Sequence, residues 1–143
     1  MSLLYLALCL SFGLGSFDNP AQDIIGTWEF VSAKVTDTNG VVTNYTSHDL
    51  RSHKILNAGY FCVVTRNADG SFRHTNLGPY RIEGNLYIET VEYSTNSGWI
   101  GSRPEYAFTV ESDIWIIRTT GVGKESREET WRRIEDSRFG AEF

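Results

Sequence analysis

The carboxylate of Glu89 is the side chain in this sequence with the clearest potential for chemistry. It lies in the segment 79–93, where Gly84 and Asn85 have the residue types of a two-residue hairpin turn. Pairing outward from that turn places Tyr80 opposite Glu89, and the alternation of strand side chains puts both on the same face. A carboxyl group among tyrosines must be neutral or have a partner, so it could contact a polar ligand group or act as a general acid.

The hairpin has one aromatic and apolar face and one polar face. We predict that the first face points inward and carries Tyr80, Ile82, Tyr87, Glu89, Val91 and Tyr93. The second face is predicted to point outward and carries Arg81, Glu83, Leu86, Ile88, Thr90 and Glu92. Two kinds of partner are predicted for Glu89 inside the fold. One is Arg133 of the last strand, and the other is a tyrosine hydroxyl, with Tyr80 nearest because it lies directly across the hairpin.

The remaining side chains with catalytic or metal-binding potential form no recognisable pattern. The three histidines, His48, His53 and His74, have no cysteine or carboxylate at metal-ligand spacing, which favours solvated side chains. The sequence has no glycine-rich phosphate loop and no Gly-x-Ser-x-Gly nucleophile motif. We therefore expect no metal, no cofactor and no enzymatic activity. An enzyme that uses Glu89 or Glu129 as a general acid or base is the catalytic alternative.

The composition favours one globular domain. The chain has 143 residues, of which 41% are hydrophobic and 22% are charged. Aromatic residues make up 13% of the chain, which favours β-structure with large buried side chains. The formal net charge is −5 and there is no basic run, so we do not expect the protein to bind nucleic acid.

The first sixteen residues are apolar and leucine-rich, and they end in small residues. An apolar stretch this short is typical of a secretory signal peptide and not of a permanent membrane helix. We therefore predict a signal peptide at residues 1–16, a domain at residues 17–143, and a secreted or periplasmic protein. The residues before Cys9 faintly match a lipoprotein motif, so membrane association is expected only if Cys9 is lipidated.

The domain shows short strand-like segments separated by turns at regular spacing. Turn signals occur at residues 39–40, 57–59, 67–70, 84–85 and 112–113, and no segment has sustained helical periodicity. About eight to ten strands that alternate aromatic and polar residues predict an all-β, up-and-down antiparallel β-barrel, because closure removes exposed strand edges. A flattened β-sandwich is the alternative.

A series of short motifs extends along nearly the whole domain. It begins with Gly26-Thr27-Trp28 on the first strand. The later motifs are Lys54, Ile55 and Phe61; Gly78, Tyr80, Gly84 and Asn85; Tyr87, Glu89, Glu92 and Tyr93; and Glu129, Trp131 and Arg133. The first motif resembles the Gly-x-Trp signature of lipocalins, and the ordered set resembles small bacterial secreted lipocalin-like domains. The resemblance implies a calycin-type barrel with Trp28 buried at its closed end, under Arg133 or Arg132.

The rings predicted to face inward define the candidate site. Aromatic side chains with a few convergent polar groups are typical of a small-molecule site. The predicted ligand-binding residues are Phe61, Tyr80, Tyr87, Glu89, Tyr93, Tyr106, Phe108, Trp115, Trp131 and Arg133, with Gly26 and Trp28 as the structural signature. The alternative is that these rings fill the barrel and leave no cavity.

These observations lead to two expectations of different classes. The first is an exported lipocalin-like barrel that binds a small apolar or amphipathic molecule and does not transform it, as the family resemblance implies. The second is a structural or interaction module of the cell envelope, with a barrel filled by side chains and no small ligand. No oligomeric state is specified by the residues.

Overall fold

A computed structural model describes residues 23–120 and 125–134. These residues form ten β-strands and a short 3-10 helix at Ser97–Trp99. The predicted signal peptide, residues 1–16, lies outside the described residues. Within the described ranges, no helix has the length and apolar character to cross a bilayer. The strands are β1 (Gly26–Thr36), β2 (Val42–Thr46), β3 (Leu50–Leu56), β4 (Tyr60–Asn67), β5 (Phe72–Glu83), β6 (Leu86–Glu89), β7 (Tyr93–Ser94), β8 (Glu105–Glu111), β9 (Ile114–Thr119) and β10 (Ser126–Arg133).

Eight of the strands close into an antiparallel barrel. Their order is β1-β3-β4-β5-β6-β8-β9-β10, and β10 pairs with β1 to complete the ring. Strand β2 pairs with residues 32–36 of β1, beyond the segment that pairs with β3. Strands β2 and β3 therefore pair with the same edge of β1, one after the other, with a turn between them. The predicted all-β, up-and-down barrel is confirmed.

The central hairpin has the predicted register. Tyr80 pairs with Glu89, and Ile82 pairs with Tyr87. Tyr87 and Glu89 are buried, as predicted for the inward face. The turn between the strands is the one expected from Gly84 and its neighbour, and Gly84 has a positive φ.

The predicted inward placement of Tyr93 is wrong, because a bulge reverses the alternation before that residue. Two residues of β5 lie between Leu77 and Tyr80, whereas three residues lie between their partners Tyr93 and Glu89. The extra residue turns Tyr93 outward, where 64% of its surface is exposed. Gly78 lies against this bulge, and a Cβ atom there would lie 1.8 Å from the backbone oxygen of Thr90.

The end of the barrel at which β1 begins is filled by aromatic rings. Trp28 and Trp115 are fully buried, with ring centroids 5.3 Å apart, and the indole nitrogen of Trp28 donates to the Ile24 carbonyl at 2.9 Å. The guanidinium of Arg133 lies 4.2 Å from the Trp28 ring centroid, and its Nη1 donates to the Ile25 carbonyl at 2.8 Å. The predicted burial of Trp28 under a last-strand arginine is confirmed, and the arginine is Arg133. We call this the closed end.

Gly26 explains the first residue of the Gly-x-Trp motif. Its φ of 136° lies in the region that side chains rarely adopt. A Cβ atom at this position would also lie 2.9 Å from Nη1 of Arg133. Glycine therefore lets the arginine reach both the Trp28 ring and the backbone before β1.

Candidate functional site

A cavity of about 840 Å³ occupies the opposite end of the barrel and opens to solvent. It is lined by residues of β1 to β5 and β8 to β10, by Glu89 and Val91, and by the loop that holds Trp99. The loop reaches the opening because β7 ends and β8 begins at this end. The volume lies within the range of about 300–1,000 Å³ that is usual for small-molecule sites.

A buried ion pair forms the floor of the cavity. Nζ of Lys54 lies 3.0 Å from Oε1 of Glu89, and the side chains of the two residues are 5% and 6% exposed. The hydroxyl of Tyr87 donates to the same Oε1 at 2.9 Å. Burial, the charge of Glu89 and this hydrogen bond raise the pKa of Tyr87 well above its ordinary value, so Tyr87 remains a proton donor to the carboxylate.

The partners of Glu89 differ in part from those predicted. A tyrosine hydroxyl does contact the carboxylate, but it belongs to Tyr87; the hydroxyl of Tyr80 instead donates to the Asn57 carbonyl at 2.7 Å. Arg133 is at the closed end and forms no ion pair with Glu89. The cation is Lys54, which we did not predict as a site residue.

The alternation of β3 is the signal that identifies Lys54. Leu56 and Phe61 pair across the turn at residues 57–59, and both are buried. Counting back from Leu56 in steps of two places Lys54 inside and Ile55 outside. Ile55 is 51% exposed and Lys54 is 4% exposed, so residue type alone suggests the reverse of the true arrangement.

Four aromatic rings surround the ammonium group of Lys54. Nζ lies 5.2 Å from the ring centroid of Trp131, 5.3 Å from Trp115, 5.4 Å from Tyr87 and 5.9 Å from Tyr106. Each distance lies within the range in which a cation is attracted to the face of a ring. The rings and Glu89 together offset the lost hydration of a charge held inside the barrel.

One wall of the cavity, on the adjacent strands β3, β4 and β5, is polar although it is buried. We call it the polar wall, and it consists of Ser52, Thr65 and Asn76, each at most 6% exposed. The hydroxyls of Ser52 and Thr65 are 2.8 Å apart. Oδ1 of Asn76 accepts a hydrogen bond from Ser94 at 2.7 Å, and its amide nitrogen has no partner among the described residues.

The wall on β1, β10 and β8 is aromatic. We call it the aromatic wall, and it consists of Phe30, Trp131 and Tyr106. Phe30 meets Trp131 edge to face, with ring centroids 5.5 Å apart. Burial and the nearby charges of Glu89 and Glu129 raise the pKa of Tyr106 well above its ordinary value, so its hydroxyl stays protonated at neutral pH.

A second group of charged residues lies above the aromatic wall. Arg127 contacts Glu129 at 3.2 Å and Glu125 at 3.6 Å, and the indole nitrogen of Trp131 donates to Glu129 at 3.0 Å. Burial alone would lower the pKa of Arg127, but the charge and the hydrogen bond of Glu129 raise it above the ordinary value. Glu129 therefore lines the cavity with both of its oxygens already engaged.

Two arginines without an ion-pair partner in the described part of the chain lie at the rim of the cavity. Arg73 and Arg103 are exposed lining residues, and neither forms an ion pair with any residue that the structure describes. His74, which also lines the cavity, is partly buried. No group of three or more potential metal-binding side chains occurs in residues 23–120 and 125–134.

The predicted site residues separate into three groups. Glu89, Tyr106 and Trp131 line the cavity, and their role in ligand binding stays a prediction. Phe61, Tyr87, Phe108 and Trp115 are buried in the core and do not line it. Tyr80 and Arg133 hold the closed end, and Tyr93 is on the outer surface, so these three do not face the cavity. The polar wall, Lys54 and Phe30 are among the lining residues that the sequence prediction does not include.

Comparison with solved structures identifies the fold. A lipocalin-like protein from Bacteroides uniformis superposes with a TM-score of 0.53 at 17% sequence identity, covering 78% of this chain and 99% of that protein. An uncharacterised protein from Bacteroides eggerthii superposes with a TM-score of 0.50 at 16% identity, covering 77% and 98%. No protein-family model and no curated protein matches the sequence. At these identities the likeness establishes the fold alone, and the fold is lipocalin-like.

Proposed function

From this lipocalin-like barrel, we propose that the protein binds a small amphipathic molecule in the cavity at the open end. One observation carries the proposal. The five buried polar or charged residues of the described chain, Ser52, Lys54, Thr65, Asn76 and Glu89, all line the cavity. Buried polar groups oppose folding unless they are well paired, and their concentration around one open volume is expected of a binding site.

The charges of the rim favour an amphipathic molecule over a purely apolar one. Arg73 and Arg103 are exposed at the opening and have no carboxylate partner in the described part of the chain. An anionic group at the opening would meet these cations, while the remainder of the molecule would contact Phe30 and Trp131 below. Exposed cations add little binding energy singly, so their main contribution is to orientation and to the rate of association.

We propose that the molecule is bound without being transformed. The two carboxylates that could act as a general acid or base are already engaged, Glu89 by Lys54 and Tyr87, and Glu129 by Arg127 and Trp131. A general acid must have a proton to give, and a general base must have an oxygen free to accept one. In Glu89 and Glu129 these functions compete with ion pairs and hydrogen bonds to the protein's own side chains.

Export of the domain is also part of the proposal. It is supported by the apolar leader at residues 1–16, which is outside the described residues. The intact mass of the protein recovered from its own host tests it. A chain that retains residues 1–16 would contradict export by this route.

Binding of 1-anilinonaphthalene-8-sulfonate tests the proposed site. This dye has apolar rings and one sulfonate, and its fluorescence rises when it leaves water. Val63 lines the cavity and is 8% exposed, whereas Val64 is the next residue of β4 and is 38% exposed on the outer face. We expect Val63→Trp, which fills the cavity, to weaken dye binding by about tenfold or more. Val64→Trp should bind the dye as the unmodified protein does.

Equal dye binding by the two variants would contradict the cavity as the site. A native mass spectrum of the protein from its own host then separates binding from the alternative of an interaction module. A bound small molecule that is released on unfolding supports the proposal. A protein partner on the outer surface, with an empty barrel, would favour the alternative.

A further inference from the structure

The two walls of the cavity face each other across the barrel. In the closed ring of eight strands, β3 lies opposite β8, and β5 lies opposite β10. Ser52 and Asn76 therefore face Tyr106 and Trp131. A molecule in the cavity meets hydrogen-bonding groups on one side and aromatic rings on the other, so the site distinguishes the two sides of its ligand.

The deepest polar groups have unused hydrogen-bonding capacity. The amide nitrogen of Asn76 has no partner among the described residues, and the residue is 4% exposed. Nζ of Lys54 makes one hydrogen bond, to Oε1 of Glu89, although an ammonium group has three donors. Lys54 and Asn76 lie at the same level of the barrel, because each pairs with Val63 across its neighbouring strand. Their free donors are therefore positioned to meet one acceptor atom of a ligand.

The charges at the floor are already balanced. Glu89 neutralises Lys54, so a ligand carboxylate at this depth would add a second negative charge beside Glu89 without a new cation. Removing such a charge from water is unfavourable unless it is paired. An uncharged acceptor, such as a carbonyl oxygen, can accept from Lys54 and Asn76 without disturbing the ion pair.

We infer that the deep part of the cavity binds a flat, uncharged ring system, aromatic or conjugated, that carries a carbonyl-type acceptor on one edge. The ring system packs along the aromatic wall, and its acceptor edge points down to the level of Lys54 and Asn76. A flat molecule can lie along the rings of that wall while its lower edge reaches these donors. The inference rests on the proposed function and specifies the class of ligand for the same cavity.

Displacement of the bound dye by three bicyclic probes tests this inference. Coumarin is flat and carries a carbonyl, naphthalene is flat without an acceptor, and octahydrocoumarin carries the carbonyl on a saturated, non-planar frame. We expect coumarin to displace the dye at a concentration about tenfold lower than naphthalene needs, because a hydrogen bond to a charged donor is lost in naphthalene. Octahydrocoumarin should need about fivefold more than coumarin, because ring stacking is lost.

Asn76→Leu tests the acceptor contact directly. It removes the amide donors while keeping a side chain of similar size, so the preference for coumarin over naphthalene should fall by about threefold or more. Asn44→Leu is the matched control, because Asn44 is an exposed residue of β2 outside the cavity. If Asn76→Leu does not fold, the triple variant Lys54→Met, Glu89→Met and Tyr87→Phe removes the other donor without leaving a charge unpaired or adding a new donor, and the same fall is expected.

Several results would overturn the inference while leaving the proposed function intact. Equal displacement by the three probes, no displacement by coumarin at its solubility limit, or an unchanged preference in the folded variants would each do so, provided that Val63→Trp still weakens dye binding. If Val63→Trp has no effect on the dye, the proposed function itself fails. Failure of the ligand class is therefore measured with the probes and the Asn76 variant, and failure of the proposed function is measured with Val63→Trp.

Discussion

The closed end and the cavity end of the barrel are built from the same eight strands, but they differ in what surrounds their buried polar groups. At the closed end, Arg133 covers Trp28 and donates to backbone carbonyls, and fully buried rings fill the interior. At the cavity end, Asn76 and Lys54 are equally buried and keep donors that no described residue uses. At the closed end, the buried indole nitrogen of Trp115 has no hydrogen-bond partner among the described residues, but it is enclosed by rings; at the cavity end, the unused donors face an open volume.

This difference separates residues that stabilise the fold from residues that are available for binding. Contacts among rings stabilise the closed end whether or not a ligand is present. Buried polar groups with unused hydrogen bonds reduce stability, and natural proteins retain them mainly at functional sites. Substitutions at the two ends should therefore have different signatures, in stability at one end and in binding at the other.

The largest effect is expected at the closed end. Trp28→Ala removes a fully buried indole that contacts Trp115 and Arg133, and such truncations typically reduce the free energy of unfolding by about 3–5 kcal/mol. Chemical denaturation of the purified domain measures it. Trp99→Ala is the matched control, because Trp99 is 41% exposed at the mouth of the cavity, and it should change stability by less than about 1 kcal/mol.

The reverse order of these two effects would contradict the comparison. If Trp99→Ala destabilised the protein more than Trp28→Ala, the loop at the mouth would be the structural end of the barrel. Dye binding gives the complementary signature. Trp99→Ala is expected to weaken it, because Trp99 lines the cavity, and Trp28→Ala is not, as long as the protein remains folded.

The ion pair at the floor marks the boundary between the two ends, and its loss should have the next largest effect. Glu89→Gln leaves the buried ammonium of Lys54 without a counter-charge, and we expect a loss of about 2–4 kcal/mol in the free energy of unfolding. Glu92→Gln is the control, because Glu92 is an exposed residue of the same segment. The double variant Lys54→Met with Glu89→Gln should be more stable than Glu89→Gln alone, since no charge is left unpaired.

Denaturation curves of the four proteins check this prediction. Equal effects of Glu89→Gln and Glu92→Gln would mean that the carboxylate of Glu89 is in contact with water. A double variant less stable than the single one would mean that Lys54 stabilises the barrel mainly through its ring contacts. In that case Lys54 would act as the closed-end residues do, by stabilising the fold through ring contacts, and would not be available for binding.

The sequence predicts the fold well because strand alternation and turn residues are local signals. The hairpin register around Gly84 follows from such signals, and the burial of Trp28 at the closed end is implied by the resemblance of Gly26-Thr27-Trp28 to the lipocalin signature. The bulge that turns Tyr93 outward does not follow from local signals, because it depends on the close approach of Thr90 to the backbone at Gly78, which is a contact between strands. The alternation of inward and outward side chains therefore cannot be extrapolated along a strand past a bulge.

The candidate site is less predictable than the fold, because its members come from strands that meet only after closure. Alternation from Leu56 places Lys54 inside, but no local signal pairs it with Glu89, which is 35 residues further along the chain. Inward rings can be predicted, but their depth along the barrel axis cannot, so Trp115 and Trp131 are equivalent in the sequence. Only Trp131 lines the cavity.

The smallest expected effect is a pH dependence that belongs to the cavity end alone. Burial lowers the pKa of His74, the charges of Arg73 and Arg127 lower it further, and Glu129 opposes them in part. The unfolded chain then binds a proton more readily than the folded one below the ordinary histidine value of about 6.5. The neutral form is therefore favoured in the fold, and stability falls as the pH drops below that value until the folded pKa is passed.

Denaturation at pH 7.5 and pH 5.0 measures this contribution. His74→Gln should lose less stability between the two pH values than the unmodified protein, by an amount smaller than the effects at Trp28 and Glu89. His48→Gln, in the exposed turn before β3, controls for removal of a surface imidazole. An uncharged ligand that fills the cavity should enlarge the acid response of His74, because it removes more water from the ring and so disfavours the charged form further. If the response is the same with and without bound coumarin, His74 is not part of the surface that the ligand covers, and the cavity end is smaller than its lining residues indicate.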